Sequence, residues 1–202
     1  MQFDELSRHP RVRVRKAGGP DPQGRAVVYW MQRAQRAADN PALDIAIQAA
    51  NALGKPVVVL LTLVPFYPGA NLRHYAFMAA GFAELSEELG KGGVGFILRR
   101  YPDHSVPAFV REARAALLVG DENPMRGPNQ WRDDVAAAVN VPFWTVDADV
   151  VVPSVLLAKE QYAARTIRPR LHKLLPTFLV TERAPKPKVA WHKPRGLAGI
   201  DP

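Results

Sequence analysis

The stretch Val27–Leu43 confines this chain to a narrow set of folds. Ala26, Val27, Val28, Tyr29, Trp30 and Met31 make a short apolar, β-branched and aromatic run that suits a buried strand. Asp39 and Asn40 follow, both good helix N-caps, with Pro41 where a first helical turn tolerates it. Leu43, Ile45, Ala46, Ile47, Ala49, Ala50 and Leu53 then recur at helical spacing. Strand, polar loop and capped helix together form one βα unit.

The unit repeats. Gly54 and Pro56 stop the first helix, and Val57–Leu63 is a continuous apolar run, as expected of a strand covered on both faces. A loop over Pro65–Gly69 leads to a long second helix, capped by Asn71 and running through Leu89. Val94–Leu98, Ala116–Val119 and Val141–Val146 read as further strands, separated by helices over Val106–Ala115 and Gln130–Val139. Five such steps predict an α/β fold, a Rossmann-like, doubly wound, five-stranded parallel sheet with helices on both faces, followed by a basic helical and linker tail. The expected organisation is a flexible lead-in over 1–24, the α/β domain over 25–158, a basic helical connector over 159–180 and a disordered tail over 181–202. Within the lead-in, the alternation Arg11-Val12-Arg13-Val14-Arg15 is compatible with a short edge strand; in the connector, Pro169 and Pro176 interrupt the helical pattern.

At 202 residues the chain suits one well-buried domain plus tails. It has no apolar run long enough for a membrane helix, and its first residues do not form a secretory signal. With no cysteine there is no disulfide framework and no thiolate chemistry, so the expected location is cytoplasmic. The formal net charge of +8 is unevenly placed: residues 27–162 carry 12 basic and 14 acidic side chains, whereas residues 163–196 carry 9 basic and 1 acidic. A basic tail of this kind suggests contact with nucleic-acid phosphates, or simply a solvated linker.

In open α/β sheets ligands sit at the carboxyl ends of the strands, which directs attention to two loops. Around the first, Arg33, Arg36, Asp39 and Asn40 offer donors and acceptors beside a helix N-terminus, and Trp30 or Met31 can stack on a flat ring. In the plainer reading the arginines pair with acids and Asp39 or Asn40 only caps the helix. The second loop, Gly120–Arg126, contains Asp121 and Pro124, and the fold would bring it near the first. No G-x-G-x-x-G follows the first strand and no phosphate-binding P-loop occurs, so a classical dinucleotide or ATP site is not expected. The five histidines show no ligand spacing, and no metal site is expected.

Trp30-Met31-x-Arg33-x-Gln35-Arg36-x-x-Asp39-Asn40-x-Ala42-Leu43 resembles the first motif of the photolyase/cryptochrome family, and its tryptophan–methionine pair resembles the class II cyclobutane pyrimidine dimer photolyases. Further blocks follow in the same order: Leu63-Val64-Pro65, Gly69–Met78, Gln130–Val135, Val146-Asp147-Ala148 and Tyr162–Arg168. The resemblance spans Val27 to Leu179. It implies an N-terminal α/β domain that holds an antenna chromophore, a deazaflavin or a folate. A larger helical domain would hold the catalytic FAD and the DNA lesion, so no catalytic residue is expected in these residues. At the second loop Asp121, Pro124 and Arg126 match the class II pattern, whereas Glu122 stands where the family has an aromatic residue and so removes a stacking contact. Arg165 and Arg168, with Arg170 and Lys173 of the same basic segment, are the expected contacts to DNA or to a partner. Leu171, Leu174, Leu175, Phe178 and Leu179 form an apolar stripe beside them.

With the chain stopping at Pro202, the expectation is an α/β half, either a fragment of the whole enzyme or one half of a split one whose helical FAD-binding domain is on a separate chain. The alternative is a stand-alone photolyase-like domain that binds a cofactor or a protein without lyase activity.

Overall fold

The computed structural model describes residues 2–157, 159–181 and 183–202. After a short helix α1 (Phe3–Leu6) come β1 (Val12–Lys16), β2 (Ala26–Met31), α2 (Pro41–Leu53), β3 (Val57–Leu63), α3 (Leu72–Ala79), α4 (Phe82–Lys91) and β4 (Gly95–Arg100). They are followed by α5 (Val106–Glu112), β5 (Ala115–Asp121), α6 (Arg126–Ala138), β6 (Phe143–Val146) and α7 (Ala164–Phe178). The sheet order is β1-β6-β5-β2-β3-β4. All neighbours are parallel except β1, which runs antiparallel along β6.

The five expected parallel strands are therefore present, with β2 at the centre, paired to β3 on one side and β5 on the other. Alternate residues of β2 feed two cores. Val27, Tyr29 and Met31 pack with α2 and α4, whereas Ala26, Val28 and Trp30 pack with α5 and α6. A strand with both faces covered needs no polar alternation, hence the unbroken apolar runs.

The structure corrects the sequence reading at several places. The sheet has six strands, because part of the lead-in forms β1. Its register skips a residue between Val14 and Lys16, so Arg15 sits in a bulge. The bulged side chain turns inward and is nearly buried. It donates to Glu122 at 2.6 Å, Asn129 at 2.7 Å, Thr145 at 3.1 Å and Asp133 at 3.1 Å. The long second helix is two, α3 and α4, separated by a turn at Ala80 and Gly81. Phe82, Leu85 and Leu89 of α4 can then lie on the sheet, while no α3 residue is fully buried. Helix α5 stops at Glu112, with Arg114 in the left-handed region at φ 49° just before β5. Helix α7 runs through Pro169 and Pro176 without interruption. The amides these prolines lack would have bonded the carbonyls of Arg165 and His172, two exposed residues that water can serve.

The tail is laid against the sheet. Asn51 at the end of α2 donates to the Lys186 carbonyl at 2.9 Å and accepts from the Lys188 N–H at 2.7 Å. The Trp191 N–H donates to Gly93, Leu197 is buried, and Ile200 bridges Leu98 on the free edge of β4. Trp191 lies directly over Gly95, where an added Cβ would come within 2.3 Å of the indole Cδ1. Gly95→Ala should therefore displace the indole and cost about 1–3 kcal/mol, the usual scale of overpacking. Urea unfolding followed by tryptophan fluorescence reads this loss.

Candidate functional site

Strand order reverses between β2 and β5, so the loops that follow them part to opposite faces and leave a crevice at their carboxyl ends. Asp121, the last residue of β5, closes the bottom of that crevice and is 1% exposed. Its Oδ2 accepts the backbone N–H groups of Gln32 at 2.8 Å, Arg33 at 2.6 Å and Ala34 at 3.1 Å. Its Oδ1 accepts the Tyr29 hydroxyl at 2.6 Å. Burial, the Asp121 charge and that hydrogen bond together hold the Tyr29 phenol well above its usual pKa.

Asn40 completes the loop. Its Oδ1 accepts from Ala42 and Leu43, both at 3.1 Å, capping α2, and its Nδ2 donates to the Ala34 and Arg36 carbonyls. Arg36 donates to the Asp39 and Ala148 carbonyls, and Arg33 pairs with Asp149 at 2.6 Å. Asp39 takes the left-handed conformation, φ 48°. Pro124 is exposed on the second loop. Of the eight loop residues singled out in the sequence, Arg33, Arg36, Asp39, Asn40, Asp121 and Pro124 build or border the loops, and only Trp30 and Met31 line a cavity.

That cavity is a cleft of about 600 Å³ over the carboxyl ends of β2 and β3, within the range of small-molecule sites. Trp30, Met31, Leu61 and Leu63 form the floor. Phe66, Tyr67 and Pro68 of the β3–α3 loop form one wall, with Tyr75 and Met78 of α3 beside them. Trp131, Asp134 and Val135 of α6 form the other, and His104, Ser105 and Val106 close one end. Tyr67 meets Trp131 edge-on at 5.8 Å between ring centroids, and Phe66 meets Tyr101 edge-on at 5.6 Å. Polar groups are few: Gln32, Gln35, Thr62, His74, His104, Ser105, Asp134 and the hydroxyls of Tyr67 and Tyr75. The Trp30 indole N–H donates to Thr62 at 3.4 Å, and Gln32 Oε1 is buried without a hydrogen-bond partner.

Behind Trp30 lies Arg132, wholly buried, its guanidinium 5.7 Å from the indole centroid. Nε donates to the Asp121 carbonyl at 2.6 Å and Nη1 to the Pro128 carbonyl at 2.7 Å, while Nη2 has no partner. Desolvation lowers its pKa to about 10, against the pull of Asp121 and Glu122, so it remains a cation at neutral pH.

The sequence reading missed most of the walls. An aromatic pair in a strand-to-helix loop on the correct edge of the sheet was the available signal for Phe66 and Tyr67. Trp131 belonged to a recognised block without a role. Glu122 turns away from the cleft towards Arg15, and Thr145 donates to its Oε2. Arg165, Arg168, Arg170 and Lys173 are all exposed on α7, away from the cleft. The apolar stripe of that helix is half-buried over Leu171, Leu174, Leu175 and Phe178, with the Arg11 guanidinium over the Phe178 ring, while Leu179 is exposed. Among the described residues no three His, Asp or Glu side chains are placed to hold a metal ion, and no helix is long and apolar enough to cross a membrane.

Two expected outcomes follow from the loop geometry. Asp121→Asn puts an amide among four donors and should cost about 2–4 kcal/mol in chemical unfolding, because buried donors lose their acceptor. With Tyr29 raised in the folded state, its contribution is complete below pH 10, the ordinary tyrosine value, and declines above it as the unfolded chain ionises first. Tyr29→Phe should therefore flatten the fall in stability above about pH 10 while lowering stability at neutral pH. Unfolding curves across pH 8–12 test the sign.

Residues 27–190 match the profile of the family described as DNA photolyase. Over 161 residues the chain is 41% identical to the deoxyribodipyrimidine photo-lyase of Potorous tridactylus, covering 78% of this chain and 30% of that protein. Over 174 residues it is 35% identical to the deoxyribodipyrimidine photo-lyase of Methanothermobacter thermautotrophicus, covering 85% of this chain and 39% of that one. The chain thus spans well under half the length of these relatives. A bacterial class III photolyase from Agrobacterium tumefaciens shares the fold, with a TM-score of 0.50 at 17% identity over 60% of this chain and 25% of the other.

Proposed function

The chain belongs to the DNA photolyase family, and from that membership we propose that it is the chromophore-holding α/β portion of a class II-like deoxyribodipyrimidine photolyase. The observation that carries this reading is the cleft: an apolar and aromatic enclosure of about 600 Å³ with a few polar groups, over the carboxyl ends of β2 and β3. Its residues fit a flat heteroaromatic ring with a polar edge, such as a deazaflavin or the pterin of a folate. Trp30, Met31, Tyr67 and Trp131 would enclose the ring, and the unpartnered Gln32 Oε1 is an acceptor within reach of a side-chain rotation. When bound, such a chromophore absorbs light and passes the excitation to a flavin. The protein's own task is to orient the ring and exclude water. Trp30 is fixed by Thr62 and Arg132, and the loop ahead of it by Asp121.

In this reading the repair reaction is light-driven and FAD-dependent splitting of cyclobutane pyrimidine dimers. FAD and the lesion belong to a helical domain beyond these residues, and no catalytic residue is assigned here. The names of the curated relatives support this activity. The exposed Arg165, Arg168, Arg170 and Lys173 of α7 would face that domain or DNA phosphates. We place the protein in the cytoplasm.

Incubation of the purified chain with a deazaflavin or a methenyl folate, followed by gel filtration, is the direct test. The ring should co-elute and quench tryptophan fluorescence. Trp131→Ala should weaken retention at least about tenfold, as expected for loss of one stacking wall. A chain that retains neither ring overturns the chromophore reading. Retention without repair activity after addition of an FAD-loaded helical photolyase domain favours the stand-alone binding domain instead.

A further inference from the structure

Resting on the reading of the cleft as a ring-binding site, we infer that it selects uncharged rings over ligands bearing a phosphate or glutamate tail, and that Asp134 sets this preference. No lysine or arginine lines the cleft among the described residues, and its one formal charge is the carboxylate of Asp134. That residue lies on the exposed side of α6, where its Oδ1 accepts from Gln130 Nε2 at 3.0 Å, so the charge is held at the rim.

Four arginines around the carboxyl edge are committed elsewhere, and Arg73, Arg100 and Arg126 stand outside the cleft lining. Arg33 is paired with Asp149, Arg36 with backbone carbonyls, Arg99 with Glu112 and Arg132 with the Asp121 carbonyl. The groups left to meet a ligand are amides, hydroxyls and imidazoles, which suit a ring edge and not a phosphate dianion. A ligand seated ring-first on Trp30 and Met31 would carry its tail out past Asp134. Two like charges about 6 Å from that carboxylate in a watery rim weaken binding by about tenfold. The overall charge of +8 pulls the other way, but it resides largely in the tails and is screened beyond a Debye length of about 8 Å at physiological salt.

Riboflavin and FMN share one ring and differ by a phosphate, so they isolate the effect. Titrations of the full chain, read by flavin fluorescence at about pH 8 and about 0.15 M salt, should show riboflavin binding about tenfold tighter. Asp134→Asn should narrow the preference below about threefold, and Asp134→Lys should invert it. Asp134→Ser repeats the neutralisation without an amide. Glu87→Gln, the same change in net charge on α4, should leave the ratio unaltered. FMN binding as tightly as riboflavin to the wild-type chain, or a ratio insensitive to Asp134, overturns the inference while leaving the ring-binding reading intact. Failure of both flavins, a deazaflavin and a folate to bind overturns that reading and the inference with it.

Discussion

The carboxylate of Asp121 is the interaction on which the carboxyl edge of this sheet depends. It gathers three consecutive loop amides and the Tyr29 phenol, groups that would otherwise be buried without an acceptor. The same residue's carbonyl accepts from Arg132, which projects from α6. One position at the end of β5 thus ties the loop after β2 to the helix that supplies Trp131 and Asp134. Together with the Arg132 guanidinium against Trp30, it fixes the floor of the cleft relative to its far wall.

The neighbouring position performs a different task. Glu122, where the sequence resemblance implies an aromatic side chain, faces Arg15 and Thr145. Arg15 reaches it only because a bulge in β1 turns that side chain inward among Glu122, Asn129, Asp133 and Thr145. Glu122 is therefore part of the network that fastens β1 to the rest of the sheet. Tyr67 and Trp131 supply the aromatic surface from other elements.

How much of this was legible depended on locality. Strands β2 to β6 announced themselves because each is a self-contained apolar run, and Asn40, Asn71 and Ser105 cap the helices that follow their positions. Strand β1 offered only two valines among arginines, and its reason to pair lies more than a hundred residues away on β6. The tail, rich in proline and lysine, carries no period; its anchor is a fit between Trp191 and the bare backbone of Gly95. In the site, the sequence pointed to the correct loops, but residues chosen for what they could offer a ligand were mostly engaged by backbone. Asp121 and Asn40 are buried, and buried polar atoms are taken by the nearest unsatisfied partner. The cleft walls came from aromatic side chains whose convergence only the fold could reveal.

Both outer strands of the sheet are closed by segments that lie outside the βα alternation: β1 along β6, and the tail along β4. The two flanking segments therefore lie on opposite margins, with five strands between them, about 29 Å apart at the usual spacing. A donor dye near β1 and an acceptor near Ile200 would span the whole sheet within ordinary energy-transfer range. Detachment of either margin would register as a change in one distance, long before the central strands part.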